Sequence, residues 1–485
     1  MASVTRRHFV RETACAAALY GWSPRVVGHA RALFDAGEQS AALDAETIRK
    51  LASRVIGQVI VPGGRDYEAA RSIFNRAFDR HPAVIVHCAE PSDVARALDF
   101  AGNKNLPLAV RGGGHSRLGY GMCDGGVVID LSGMKRVEVD TSRRVVRLEA
   151  GALVRDLDEA TQRFGLATTS GGCPTVGVAG LTLGGGEGRL MDKYGVACDN
   201  LLSAQVVLVD GRRVEASPAS NPDLFWAIRG GGGNFGVVTM LEYQLHPVRE
   251  VVSGALTYPA GRIPELLQTF VRFLASAPDE VDAFAQLLPS EQGPQLKIDV
   301  CWCGAPGLGN DMVRPLRALK PQGDSVRVMS YLDAQSAGGF LQAPVAHFQT
   351  NLFLRELGAA AVAAITTGID SAPATCKLIL IPLRGAVSRV RVSDTAFALR
   401  QPGYEIDIAG VWSTSAEKAD VVRWVKATRD RLQPFAHGVY VNQLGDTSDD
   451  LVRAAYGSNY VRLAQMKKRY DPGNVLRLNQ NIKPG

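Results

Sequence analysis

Long apolar runs are missing. Nowhere does the chain reach the ~18 uninterrupted apolar residues of a membrane-spanning helix, so no transmembrane segment is expected. Charge of one sign is scarce as well. Lys+Arg number 54 and Asp+Glu 48, a net charge of +6 over 485 residues, and no Lys/Arg run interleaves with aromatics, which argues against a nucleic-acid partner. The eight cysteines include no CxxC pair, and Cys301-Trp302-Cys303 lacks a second pair to complete a zinc set, so no metal site is expected. They leave the redox compartment open. No G-x-x-x-x-G-K-[ST] occurs, which excludes a P-loop. Internal repeats and low-complexity tracts are absent too. What remains, 46% hydrophobic and 21% charged, is an ordinary globular composition with a sizeable core. At ~150 residues per domain the length suggests two or three domains.

The amino terminus reads as an address. Thr5-Arg6-Arg7-His8-Phe9-Val10-Arg11 resembles a twin-arginine export motif, and the apolar run over 13–22 is too short to span a bilayer but suits a signal h-region. Ala30-Arg31-Ala32 offers an A-x-A processing site. On this reading residues 1–32 are a signal peptide and the protein meets the twin-arginine export machinery, becoming periplasmic or secreted. If Arg6 and Arg7 are only the basic start of an ordinary helix, the protein is cytoplasmic.

Next comes a strand–helix–strand pattern. An apolar β-type run over 83–88 is followed by Pro91-Ser92-Asp93, a helical pattern to residue 103, and a second strand over 106–110, a unit that implies parallel pairing. Further strands are expected over 127–131, 137–139 and 145–148, and a helix over 153–164. The stretch 201–209 alternates as a strand, turns at Asp210-Gly211 and returns over 213–216. A helical turn at 224–228 precedes a strand over 237–245. From about 250 to 430 apolar β runs such as 377–383 alternate with helical stretches such as 417–432. In the tail one short helix is expected over 451–470, stopped by Pro472-Gly473.

Glycine is the abundant residue, with 51 copies, many in three clusters. Bare glycine backbone permits close approach or positive φ. The first cluster, Arg111-Gly112-Gly113-Gly114-His115-Ser116, directly follows a strand. The second runs from Ser170-Gly171-Gly172-Cys173-Pro174 to Gly188 and carries one charge, Glu187; successive bare amides there could form an anion-binding nest suited to a pyrophosphate. The third, Gly231-Gly232-Gly233-Asn234-Phe235-Gly236, spells G-x-G-x-x-G, but a helix precedes it and a strand follows, the reverse of a dinucleotide fingerprint. His115 and Cys173 each stand in a bare loop, a setting no other His or Cys shares. Each also has an ordinary role open to it, a turn histidine and a small buried thiol.

These motifs together resemble the berberine-bridge-enzyme-like branch of the vanillyl-alcohol oxidase/PCMH superfamily of FAD-linked oxidases. Arg111 to Ser116 is similar to its R-G-G-G-H-[SD] loop, and the segment from Gly172 through Lys193-Tyr194-Gly195-Val196-Ala197-Cys198-Asp199-Asn200 to its cysteine loop. The tail segments Tyr456-Gly457-Ser458-Asn459-Tyr460, Tyr470-Asp471-Pro472-Gly473-Asn474-Val475 and Gln480-Asn481-Ile482-Lys483-Pro484 are similar to its C-terminal signature. The resemblance covers residues 50–485 and implies an α+β fold: a two-part PCMH-type FAD-binding domain over 50–248, an α+β substrate domain with an antiparallel sheet over 249–437, and a segment over 438–485 returning to the FAD domain. It implies FAD bonded covalently through His115 to the 8α-methyl and through Cys173 to carbon 6. Residues 111–116 and Gly172, Val176, Gly177, Gly180, Leu183, Gly184, Gly185, Gly186 and Gly188 would cradle pyrophosphate and ring. Val196, Asn200, Gly236 and Val238 would lie toward the adenine side, Tyr440 and Asn442 toward the substrate, and Asn479 and Asn481 would close over the ring.

The chemistry implied is hydride transfer from an alcohol, sugar or secondary metabolite to flavin N5. A base must take the substrate proton. Tyr440 is the first candidate, although a free tyrosine titrates near 10 and needs a stabilising neighbour; Asp394 is the second. Val176, three residues after Cys173, matches the position that gates oxygen in the family, and a valine there goes with oxidases, hence O2 as electron acceptor and H2O2 as product. A flavin dehydrogenase with another acceptor, a flavin-retaining binding protein and a flavin-free secreted binding protein remain alternatives. One departure from the family pattern is Arg189, where an aromatic is common; it either re-aims substrate preference or faces solvent. Substrate identity and oligomeric state are left open.

Overall fold

The strand–helix–strand unit forms as its pattern requires, with one insertion. Strands β1 (Gln58–Ile60), β2 (Val84–His87), β3 (Leu108–Arg111) and β4 (Val127–Asp130) make a sheet in the order β1-β2-β4-β3. The helix Pro91–Asn103 carries the chain from β2 to β3, and β4 pairs parallel with both, lying between them. All four residues of β4 are buried, as the apolar run Val127-Val128-Ile129 before Asp130 suggests. A computed structural model describes residues 43–337, 343–446 and 448–485. The expected signal peptide over 1–32 lies outside the described residues. The chain divides into Met1–Lys50, in which a helix (Ala45–Ala52) begins, and Leu51–Gly485, which holds every sheet.

A second sheet is antiparallel. It contains β5 (Val137–Asp140), β6 (Val145–Glu149), β8 (Leu201–Val207), β9 (Arg213–Ala216) and β10 (Val237–Gln244) in the order β5-β6-β10-β8-β9. The β8–β9 hairpin turns at Asp210-Gly211 as expected, with Gly211 at φ +83°. Short β7 (Leu166–Ala167) and β11 (His246–Pro247) pair with each other.

The third sheet has eight antiparallel strands. They are β12 (Glu250–Tyr258), β13 (Val281–Leu288), β14 (Gln295–Trp302), β15 (Gly323–Asp324), β16 (Arg327–Ser330), β17 (Ala346–Leu354), β18 (Cys376–Leu383) and β19 (Gly403–Trp412). The order is β15-β12-β14-β13-β18-β19-β17, with β16 also on β12. The helix Ser415–Leu432 packs on β19 and β17. A reciprocal cap starts it: Thr414 Oγ1 accepts from the Glu417 amide and Glu417 accepts from the Thr414 amide. Alternation then puts a polar set on one face of β19, including Glu405 and Asp407. Register sets Glu405 opposite Ile381, and Phe284 opposite Asp299, on that face. With Gln286 opposite Ile379, Glu405, Ile381, Phe284 and Asp299 form one row across four strands.

The tail corrects one expectation. In place of a single helix over 451–470 there are two, Asp449–Tyr456 and Tyr460–Tyr470. Gly457 sits between them at φ +49°, a left-handed conformation that ends the first helix and re-aims the chain.

Candidate active site

The first two glycine clusters meet backbone to backbone. A Cβ on Gly113 would lie 2.3 Å from the Gly177 nitrogen, and one on Gly177 would lie 2.4 Å from the Gly113 nitrogen. No side chain fits either position, so this crossing explains bare backbone in two loops far apart in sequence. The loop of His115 leaves the end of β3; the loop of Cys173 leads into the helix Val178–Leu183. Between the two side chains stands Thr175. Its Oγ1 lies 3.0 Å from His115 Nε2 and 3.4 Å from Cys173 Sγ. The imidazole also stacks on Phe74, with ring centroids 3.8 Å apart. Burial, reinforced by Arg117, pushes His115 down to about 3. Its ring is therefore neutral near pH 7 and keeps a lone pair for bonding.

On the opposite wall Tyr440 is 2% exposed, and its oxygen accepts from the Gly186 amide and from Asn442 Nδ2, each at 2.9 Å. Asn351 holds the tyrosine backbone at both its amide and its carbonyl. Burial raises the phenol well above its ordinary value, and Glu187 and Glu405 raise it further. The strongest charges acting on Tyr440 are thus acids, the opposite of the neighbour a phenolate base needs. Tyr440 is held as a neutral phenol.

Those acids were not singled out from sequence as site residues. Glu405 is fully buried, the carboxyl oxygens of Glu187 are buried too, and the two acids lie close enough to act on each other. None of their four carboxyl oxygens has a hydrogen-bond partner among the described residues. Two buried carboxyls this close resist carrying two negative charges, which favours one proton held between them. Burial and mutual repulsion raise Glu405 strongly, and burial raises Glu187. Asp407, on the same face of β19, is pushed up to about 6 by burial, opposed by Arg117 and Lys377. Arg117 donates to Gln443 Oε1 at 3.0 Å, and Gln349 bridges that oxygen to Asp407. The result is one proton-holding pair beside one buried, network-held cation.

A cavity of about 300 Å³ joins these features. Of the residues expected in the site, Arg111, Gly112, Gly113, Gly114, His115, Ser116, Val176, Gly177, Gly180, Leu183, Gly236, Val238, Tyr440, Asn442 and Asn479 line it. So do Arg117, Glu187, Gln443, Leu476 and Leu478, which sequence reasoning missed, and Gly232 and Gly233 of the third cluster. That cluster follows the helix Pro222–Ile228 and precedes β10, so it contributes to a ligand cavity without forming a dinucleotide fingerprint.

Other expected residues stand outside this lining. Cys173 touches the site through Thr175, but neither it nor Gly172 lines the cavity. Gly184, Gly185, Gly186 and Gly188 are also absent from the lining; added Cβ atoms there would strike the Asn442 side chain, the Phe397 ring, the Ala197 methyl and the Ser170 carbonyl. Val196 and Asn200 belong to a buried turn: Asn200 Nδ2 donates to the Tyr194 and Val196 carbonyls and its Oδ1 faces His246 Nε2 at 2.7 Å. Asn481 is absent from the lining. Asp394 is the clearest miss. Its side chain is 38% exposed, ion-paired to Arg391, and held below the ordinary carboxylate range by that partner. It cannot serve as a base in a cavity it does not reach.

Comparison with known proteins bears on what fills the cavity. Residues 82–217 match an FAD-binding-domain family, and residues 439–483 match the "berberine and berberine like" family. The chain is 30% identical over 444 residues to the FAD-linked oxidoreductase YgaK of Bacillus subtilis, covering 89% of this chain and 98% of that one. The chain belongs to the berberine-bridge-enzyme-like family of FAD-linked oxidoreductases. It is also 31% identical to (R)-6-hydroxynicotine oxidase of Paenarthrobacter nicotinovorans, over 88% of this chain and 97% of the relative. The crystal structure of 6-hydroxy-D-nicotine oxidase from Arthrobacter nicotinovorans superposes with a TM-score of 0.82 at 30% identity, covering 89% of this chain and 98% of that one. Berberine bridge enzyme in complex with (S)-reticuline shares the fold, with a TM-score of 0.83 at 21% identity.

The cavity fits the FAD this family binds. Its wall is bare backbone at Gly112 to Gly114, against which a flat group can lie. Arg111 Nε and Asn479 Oδ1, both on lining residues, are buried polar atoms with no hydrogen-bond partner among the described residues.

Proposed function

We propose that this protein is a bicovalently flavinylated oxidase, bonded to FAD through His115 and Cys173, that oxidises an alcohol, sugar or secondary-metabolite substrate. The observation that carries this reading is the Thr175 hydroxyl, which contacts both His115 and Cys173 at the edge of a glycine-lined cavity. Bound there, FAD supplies the hydride acceptor at N5 and passes the electrons to O2, giving H2O2.

The residues divide the remaining work. Neutral His115 provides the nitrogen for one bond, and Thr175 fixes its ring. Glu187, the member of the pair that lines the cavity, accepts the substrate proton, and its raised affinity for that proton suits a general base working near neutral pH. Tyr440 and Asn442 form the wall beside that pair, Tyr440 as a neutral phenol that can donate a hydrogen bond. Leu476 and Leu478 of the tail help to keep water out.

Acid precipitation of the holoprotein tests attachment. A yellow pellet that persists in His115→Ala and in Cys173→Ala, and turns colourless only in the double variant, is the expected result. A yellow supernatant from the unaltered protein would overturn covalent bonding. Stopped-flow mixing of reduced protein with O2 separates an oxidase, which reoxidises rapidly, from a dehydrogenase, which does not.

A further inference from the structure

Arg189 does not face solvent. It is 7% exposed, and its Nε and Nη1 are buried without a hydrogen-bond partner among the described residues. Its guanidinium carbon lies 5.9 Å from the Phe284 ring centroid. Unpartnered buried donors cost free energy unless something accepts from them, and a guanidinium presents its donors as a planar fork.

The position of that fork is set by register. Phe284 stands in the same row of the large sheet as Glu405, with Ile381 between them. Two interstrand steps of about 4.8 Å therefore separate the strand under Arg189 from the strand of the proton-holding pair, ~10 Å in all. Glu187, which meets Glu405, and Arg189 are two residues apart in one non-helical segment, so the same stretch of chain reaches both points. Asp282 is the acid that acts on Arg189 from β13, and Cys301 and Tyr331 also face it, but none of them satisfies Nε or Nη1. An acceptor with two coplanar oxygens is what this fork lacks.

We infer that Arg189 is a substrate-anchoring residue that binds a carboxylate, so that the preferred substrates are alcohols or amines carrying an acid group up to ~10 Å from the oxidised carbon. The acid end lies against Phe284 and Arg189, and the reacting end lies at Glu187, Glu405 and Tyr440. The inference rests on the oxidase reading for the word substrate, but the binding site stands apart from it.

Isothermal calorimetry on the flavin-loaded protein tests it with two probes of nearly equal shape, 3-phenylpropionate and 3-phenylpropionamide. A hydrogen-bonded charge predicts that the unaltered protein binds the acid at least about tenfold more tightly than the amide. Arg189→Met abolishes that preference with flavin content unchanged, and Arg189→Lys keeps part of it. Equal affinities, binding of neither probe, or a preference that survives in Arg189→Met overturns the inference. If Arg189→Met does not fold, Arg189→Gln serves the same comparison, and the unaltered protein's acid-over-amide ratio already decides against the idea if it is near one. Because heat reports binding and not turnover, an acid preference in a protein that releases no peroxide would sink the oxidase reading and leave the carboxylate site intact.

Discussion

Replacing Glu187 by glutamine tests the shared proton directly. In the folded protein the Glu187–Glu405 pair holds a proton that free glutamates, titrating near 4.5, have released. The folded state thus binds more protons than the unfolded chain above that pH. Stability present below about 4.5 is lost as pH rises through the raised folded values. The Glu187→Gln change removes one carboxyl and gives Glu405 a permanent amide donor, so Glu405 ionises without facing a second negative charge. Two unit charges ~4 Å apart at an effective dielectric of ~20 repel by about 4 kcal/mol. That is about three pKa units at ~1.4 kcal/mol each, and it is the ceiling on the effect. The assay is urea unfolding of the flavin-loaded protein from about pH 5 to about pH 9. The variant is expected to match or fall below the unaltered protein at the acid end. It should gain on it steadily as pH rises, by at most ~4 kcal/mol. A difference that does not change with pH would refute the shared proton and, with it, the argument that this pair is the proton acceptor.

Three further outcomes follow from single contacts. Thr175→Val removes the hydroxyl from both His115 and Cys173; leaving the buried imidazole nitrogen unpaired should cost ~1–3 kcal/mol in urea unfolding. The flavin retained in the acid pellet should fall, and an unchanged pellet would show that the bridge does not guide attachment. Gly113→Ala forces a methyl to within 2.3 Å of the Gly177 nitrogen; pushing the two loops apart should cost ~1–3 kcal/mol or more and release flavin, so a variant with full flavin content would contradict the crossing. Lys467 is 0% exposed and donates to Asp471 and to the Asn234 and Leu476 carbonyls; Lys467→Met leaves a buried carboxylate without its cation and should cost ~3–5 kcal/mol, whereas a loss below about 1 kcal/mol would mean that the tail is braced elsewhere.

The glycine-lined half of the site was legible because its signals are local. A strand followed at once by Gly112 to Gly114 and His115, and a charge-poor loop presenting Cys173, can be read within a few residues of each other. Even the third glycine cluster could be placed by the helix before it and the strand after it. The substrate half is different. Asp394 was chosen for its nearness to a family-like segment, but whether a loop carboxyl points inward depends on packing, and here Arg391 holds it at the surface. Glu405 and Asp407 sit in Gly403–Trp412, a strand with no motif to mark them as site residues. Their direction follows from alternation along β19, and their neighbours follow from its pairing with β17 and β18.

That dependence on register has a consequence for how this fold changes substrate. Glu187 and Arg189 come from the FAD side and are fixed by the glycine-rich loop. Phe284, Asp299, Glu405 and Asp407 come from the large sheet and are fixed by pairings between strands distant in sequence. A one-residue slip of β19 would turn both acids to the helix-covered face and bring Ile406 and Ile408 to the cavity side. The sheet cannot drift in this way, because helix Ser415–Leu432 needs the apolar face of β19 against it. On the proposed function, specificity would change by substitution at alternate positions of β13, β14, β18 and β19, or at the two side chains of the loop beneath them. The cofactor half can stay constant while that happens, since only the Glu187–Arg189 segment belongs to both.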